Sequence, residues 1–200
     1  MAALTFPTLP LRVVRGVAAR VQTALARRTA PPVVLAAKAE RLTRLSHRAL
    51  AELHERALAA DAADLDGALV VVGAGRGGAA LVLADARSSA REVQVFGADD
   101  PASLTEVLTR HGFPPHATRV TLRGGAPQPG DGPVALAAVG HADPGAVTEV
   151  LPVLLDRLAP GGVVVLSAYE PYRDAVDAAC DGRPVRLVQQ TLTHIVREGP

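Results

Sequence analysis

Tryptophan is absent from the chain, and aromatic residues make up only 2% of it. So few stacking platforms argue against a single-stranded nucleic-acid binder, and nucleic acid is not an expected partner. One cysteine, Cys180, excludes an internal disulfide and a cysteine-rich metal site. A lone cysteine of this kind reads as a small hydrophobe rather than a nucleophile. No run of about eighteen uninterrupted apolar residues occurs, so no transmembrane segment is expected. Acidic residues are missing before Glu40, and Arg12, Arg15 and Arg20 break up any signal-peptide core.

Small and aliphatic residues fill the gap. The hydrophobic fraction is 48% and the mean hydropathy is +0.21, enough to bury a sizeable core of Val, Leu and Ala. Two hundred residues suit one α/β domain with an appendage. Charge divides the chain the same way. Residues 1–50 carry a net charge of +8, and the remainder carries −7. The expected organisation is a basic helical arm over 1–45 and an acidic domain over 46–200. Within the arm, Val17, Val21 and Leu25 recur at helical spacing over 11–28, until Pro31-Pro32 breaks the helix. The arm is expected to dock on its own domain or across a homodimer. Such an Arg-rich start also resembles a transit peptide, but the cytoplasm is the default expectation.

The domain is organised around Ala68–Leu83, ALVVVGAGRGGAALVL. An apolar run enters the glycine loop 73–78, and small residues then start a helix. Strand, glycine turn and helix offer backbone N–H groups to a ligand. Gly73, Gly75 and Gly78 match the G-x-G-x-x-G pattern of dinucleotide sites. Ser46 fits as the cap of a preceding helix that runs to about Ala60. After the loop, the spacing predicts a helix to 88, a strand over 93–96 and a helix from Pro101 to Gly112, capped by Asp100. Strands are expected over 118–122, 134–139 and 163–166. A helix over 144–158 precedes the last of these, and one over 171–180 follows it. Strands over 185–188 and 192–196 have too short a connection for a parallel crossover, so they should pair antiparallel. The predicted fold is α/β: a doubly wound, Rossmann-like parallel sheet with a C-terminal antiparallel hairpin.

With these elements in place, residues 46–200 resemble a class I S-adenosyl-L-methionine (SAM)-dependent methyltransferase, in the element order of the macrocin O-methyltransferase type. The carriers are Gly73, Gly75 and Gly77 as G-x-G-x-G, Asp99 at the end of the second strand, the L-x-P-G-G turn 158–162, and the terminal hairpin. An NAD(P)-binding Rossmann domain would explain the loop and Asp99, but not that turn or the hairpin. The resemblance implies SAM as cofactor. Gly73, Gly75 and Gly77 would approach its methionine end and ribose. Asp99 would bind the ribose hydroxyls, with Asp100 as a nearby substitute, and Gly124 would border the adenine.

Several family acids are replaced. Val71 stands two residues before the loop, Val139 ends the fourth strand, and Ser167-Ala168 follow the fifth. A hard cation needs carboxylates, so the expectation is metal-free transfer of a methyl group to a small-molecule acceptor, at oxygen. His141 is the expected catalytic base. Tyr169, Glu170 and Tyr172 fall on the acceptor side, where both tyrosines have the alternative role of covering the sheet end. The same losses fit a catalytically silent methyltransferase-like protein that binds a ligand or partner.

Overall fold

The computed structural model describes residues 30–88, 90–140, 144–189 and 191–198. Among these residues, seven strands form one sheet: β1 (Ala68–Val72), β2 (Val93–Phe96), β3 (Val120–Arg123), β4 (Val134–Val139), β5 (Leu158–Leu166), β6 (Val185–Gln189) and β7 (Thr193–Arg197). Their order is β3-β2-β1-β4-β5-β7-β6. The first five pair in parallel, and β7 runs antiparallel to both β5 and β6. The chain therefore steps outward from β1 to β3 and returns to β4. That reversal puts a crevice at the carboxyl ends of β1 and β4, where ligands of open α/β sheets bind.

Among the described residues, six helices cover the sheet: α1 (Pro32–Ala39), α2 (His47–Ala62), α3 (Gly78–Ala86), α4 (Pro101–Arg110), α5 (Pro144–Arg157) and α6 (Arg173–Cys180). The central strands are buried on both faces, hence the near-continuous apolar runs of β1 and β4. Leu69 and Val71 of β1 point toward α1 to α4, while Val70 and Val72 point into the core under α5 and α6.

Several element boundaries differ from expectation, each for a local reason. The third strand begins at Val120, because the Thr118 N–H and hydroxyl both donate to the Pro114 carbonyl and hold Thr118 in a turn. The helix after the glycine loop stops at Ala86, where Arg87 is extended. The fifth strand begins at Leu158 rather than Val163. Leu158 pairs with Val134, residues 159–162 bulge out, and regular pairing resumes at Val163 opposite Leu136. A 3-10 turn, Glu170–Tyr172, precedes α6. α1 is not among the expected elements: Pro32 starts a helix instead of only ending one. Val33, Val34, Ala37 and Leu42 join the main core, so residues 32–42 pack against the body of the domain. The expected helix over 11–28 lies outside the described residues. Among the described residues, no helix is long and apolar enough to cross a membrane.

Candidate functional site

The buried β1 delivers the chain to the glycine loop at the sheet's carboxyl edge. Gly73, Gly75 and Gly77 all have left-handed backbones, with φ of 69°, 51° and 95°, so the loop turns back on itself within five residues. The Gly73 N–H donates to Phe96 O (3.1 Å), and the Gly77 N–H to Ala74 O (2.9 Å). Among the described residues, the Gly75 and Arg76 N–H groups have no backbone acceptor. A Cβ on Gly75 would meet nothing within 4 Å, so this glycine faces open space. Gly78 is different: a Cβ there would lie 2.6 Å from Thr43 Cβ.

The neighbouring strand ends close around this loop. The Gly140 N–H, just past β4, donates to Val72 O (2.8 Å). A Cβ on Gly140 would come within 2.3 Å of Gly73 O, so only glycine allows β4 to end against the loop. Gly140 was absent from the expected site residues, although a lone glycine after an all-apolar strand was a usable signal. The Ser167 N–H ties β5 to Val139 O (3.1 Å), and the buried Ser167 hydroxyl oxygen has no partner among the described residues. After β2, Asp99 is exposed, and its carboxylate has no hydrogen-bond or ion-pair partner among the described residues. Asp100 Oδ1 accepts the N–H groups of Ala102 and Ser103 (both 3.1 Å) and caps α4. Gly124, after β3, is exposed with open space around it. The structure thus gathers Gly73, Gly75, Gly77, Asp99, Asp100 and Gly124 along one sheet edge. His141 lies outside the described residues.

Beyond β5, an open cavity of about 380 Å³ lies between α5 and the 3-10 turn, lined by Thr148, Glu170, Tyr172 and Arg173 among others. Tyr172 is buried. The Tyr169 hydroxyl donates to Asp177 (3.1 Å), and its ring carries the Arg173 guanidinium at 5.6 Å. Arg173 also pairs with Glu170 (2.7 Å). Tyr172 thus packs in the core, whereas Glu170 is exposed and held by Arg173. Val71, two residues before the glycine loop, is fully buried in the core. Among the described residues, no three His, Cys, Asp or Glu side chains cluster as metal ligands would. Cys180 is half-buried at the end of α6, and burial, with Asp177 nearby, pushes its thiol pKa up.

A second polar network had no sequence signal, because it joins α2 to β7. His194 is buried under α2. Its Nδ1 lies 3.3 Å from Leu192 O, and its Nε2 lies 3.0 Å from the Arg56 guanidinium, which pairs with Glu52 (3.1 Å). These partners assign the neutral tautomer, with Nδ1–H donating and Nε2 accepting. Burial first, then Arg56, lowers the imidazole pKa; Glu52 opposes this and Arg186 on β6 adds to it. A base whose folded pKa is depressed binds fewer protons folded than unfolded, so the fold loses stability as pH falls below the unfolded value of about 6.5. Urea midpoints measured at about pH 7.5 and about pH 5.5 should drop in the wild type, and His194→Gln should shrink that drop. Equal drops in both proteins would remove His194 from the acid sensitivity.

No protein-family profile and no curated protein matches the chain. Solved structures do. The SAH-bound methyltransferase PaMTH1 of Podospora anserina superposes with a TM-score of 0.70 at 13% identity, covering 98% of this chain and 100% of that one. The O-methyltransferase TomG of Streptomyces achromogenes, involved in tomaymycin synthesis and solved with SAM, gives 0.68 at 16%, covering 90% and 96%. A methyltransferase from Geobacter sulfurreducens gives 0.64 at 19%, covering 90% and 97%. The fold is that of the class I SAM-dependent methyltransferases, with the seven-strand sheet and the reversed β7.

Proposed function

We propose that the protein is a SAM-dependent methyltransferase that moves a methyl group to oxygen on a small-molecule acceptor, without a metal. One observation carries the choice of cofactor. The first amide of α3, on Gly78, donates to Leu42 O (3.1 Å). In a dinucleotide site that helix end faces the pyrophosphate; here the protein's own carbonyl occupies it. A cofactor without phosphate suits such a loop. The free Gly75 and Arg76 amides and the open face of Gly75 suit the approach of an adenosyl-amino acid. The unpartnered Asp99 can accept both ribose hydroxyls, whereas Asp100 is committed to its helix.

SAM supplies an electrophilic methyl on a sulfonium. The chain's task is to hold the acceptor in line with that methyl and to receive the proton its hydroxyl gives up. The cavity beside Tyr172 is the acceptor side of the same sheet edge. His141, directly after Gly140, is the proposed base: a neutral imidazole accepts a proton near physiological pH. His141→Ala should lower turnover about 10²–10⁴-fold and leave SAH affinity nearly unchanged; wild-type turnover would reduce His141 to a loop residue.

The buried Val71 and the absence of acids at Ser167 and Ala168 favour a second reading, a silent fold that only binds. Methyl transfer from labelled SAM to a panel of phenols and other hydroxylated small molecules, in EDTA, separates the two. Product formed in EDTA supports the metal-free enzyme. Activity that needs added Mg²⁺ contradicts it. SAH binding with no product on any acceptor favours the silent fold.

A further inference from the structure

Lys38 is the only lysine in a chain with twenty arginines. It stands in the last turn of α1, half-buried, and its ammonium donates to Leu45 O (2.7 Å) and Thr43 O (3.4 Å). The Leu45 N–H in turn donates to Thr43 Oγ1 (3.1 Å). One amine and one hydroxyl thus close residues 42–45 into a short strap. The strap is anchored below by Leu42, whose side chain is in the core and whose N–H donates to Ala37 O (2.9 Å). Above, it lies directly on the glycine loop. Leu42 O accepts the Gly78 N–H, and Thr43 fills the space where a Cβ on Gly78 would stand. A compact ammonium can serve two carbonyls converging on one point, whereas the wide planar fork of arginine cannot replace it there.

We propose that Lys38 is a positioning residue for the cofactor loop. By pinning the strap it holds Gly78 in place and keeps the Leu42 carbonyl over the first turn of α3, which closes that helix end to phosphate-bearing cofactors. This rests on the methyltransferase reading for the identity of the ligand, but the contact between strap and loop stands without it. Among the described residues, the Lys38 ammonium bonds the strap and not the glycine loop; it acts through Thr43 and Leu45. With the ammonium gone, two carbonyls lose a charged donor, the strap lifts, and the Gly78 amide becomes available to an anion.

The test compares wild type with Lys38→Met, which keeps an unbranched stem and removes the donor. Amide hydrogen exchange is followed on the ligand-free proteins in the peptide spanning Gly75–Leu81, and both are titrated calorimetrically with SAH and with ADP. Expected for Lys38→Met are exchange at Gly78 faster by roughly tenfold, SAH affinity lower by roughly tenfold, and ADP binding that wild type lacks. Unchanged exchange and unchanged SAH affinity overturn the proposal. If wild type itself fails to bind SAH, the methyltransferase reading falls, while the exchange and ADP measurements still decide the strap's role. Should Lys38→Met not fold, Thr43→Val removes the hydroxyl that accepts from Leu45, and the same exchange measurement applies: acceleration supports the strap, and none overturns it.

Discussion

Gly75→Val should eliminate SAH binding while leaving a folded protein. Gly75 has φ +51° and open space where a Cβ would stand. Nothing in the protein clashes with the new side chain, so the damage falls on whatever approaches the loop from outside. Forcing a branched residue into a left-handed backbone costs about 1–2 kcal/mol, a loss that chemical denaturation will show as a lowered midpoint. The binding loss should be far larger, at least ~10²-fold, because the isopropyl group stands between the Gly75 and Arg76 amides and their ligand. Gly75→Asn separates the two effects. Asparagine visits the left-handed region readily, so its stability should stay near wild type while SAH binding is still lost. Wild-type affinity in Gly75→Asn would show that the ligand does not pass this face of the loop.

The second large effect concerns two adjacent carboxylates with different tasks. Asp99→Ala should weaken SAH binding about 10- to 100-fold, the worth of charged hydrogen bonds to two hydroxyls, with little change in stability, since Asp99 is exposed and unpartnered among the described residues. Asp100→Ala should do the reverse. It removes the acceptor for the Ala102 and Ser103 amides at the start of α4, which costs about 1 kcal/mol of stability. Its SAH affinity should stay close to wild type. Calorimetry for binding and urea denaturation for stability give the two-by-two comparison. If Asp100→Ala loses the affinity and Asp99→Ala does not, the ribose contact belongs to the second carboxylate.

The central strands were legible because β1 and β4 are apolar runs bounded by Gly or Pro, and because a glycine loop after the first of them implies the strand–turn–helix corner. The antiparallel end followed from the short connection before β7. What escaped notice depended on context. Pro31-Pro32 reads as a break from the N-terminal side and as a helix start from the other; only the packing of Val33, Val34 and Ala37 into the core shows that α1 exists. Pro160 and Gly161-Gly162 read as a turn, yet Leu158 already pairs with Val134 across the bulge. The candidate site was half legible. Its glycines and Asp99 sit in a local pattern, whereas Gly140 matters through the Gly73 carbonyl and Lys38 through a strap that meets the loop 35 residues later than Thr43. Contacts between segments distant in sequence, His194 with Arg56 among them, leave no periodicity to read.

On the proposed function, the glycine loop takes an adenosyl cofactor without phosphate. Isothermal titration of the wild-type protein with SAH, and separately with NAD⁺, tests it most directly. One SAH should bind per chain in the micromolar range, about −8 kcal/mol, and NAD⁺ should give no heat. Saturable NAD⁺ binding with no SAH binding would contradict it.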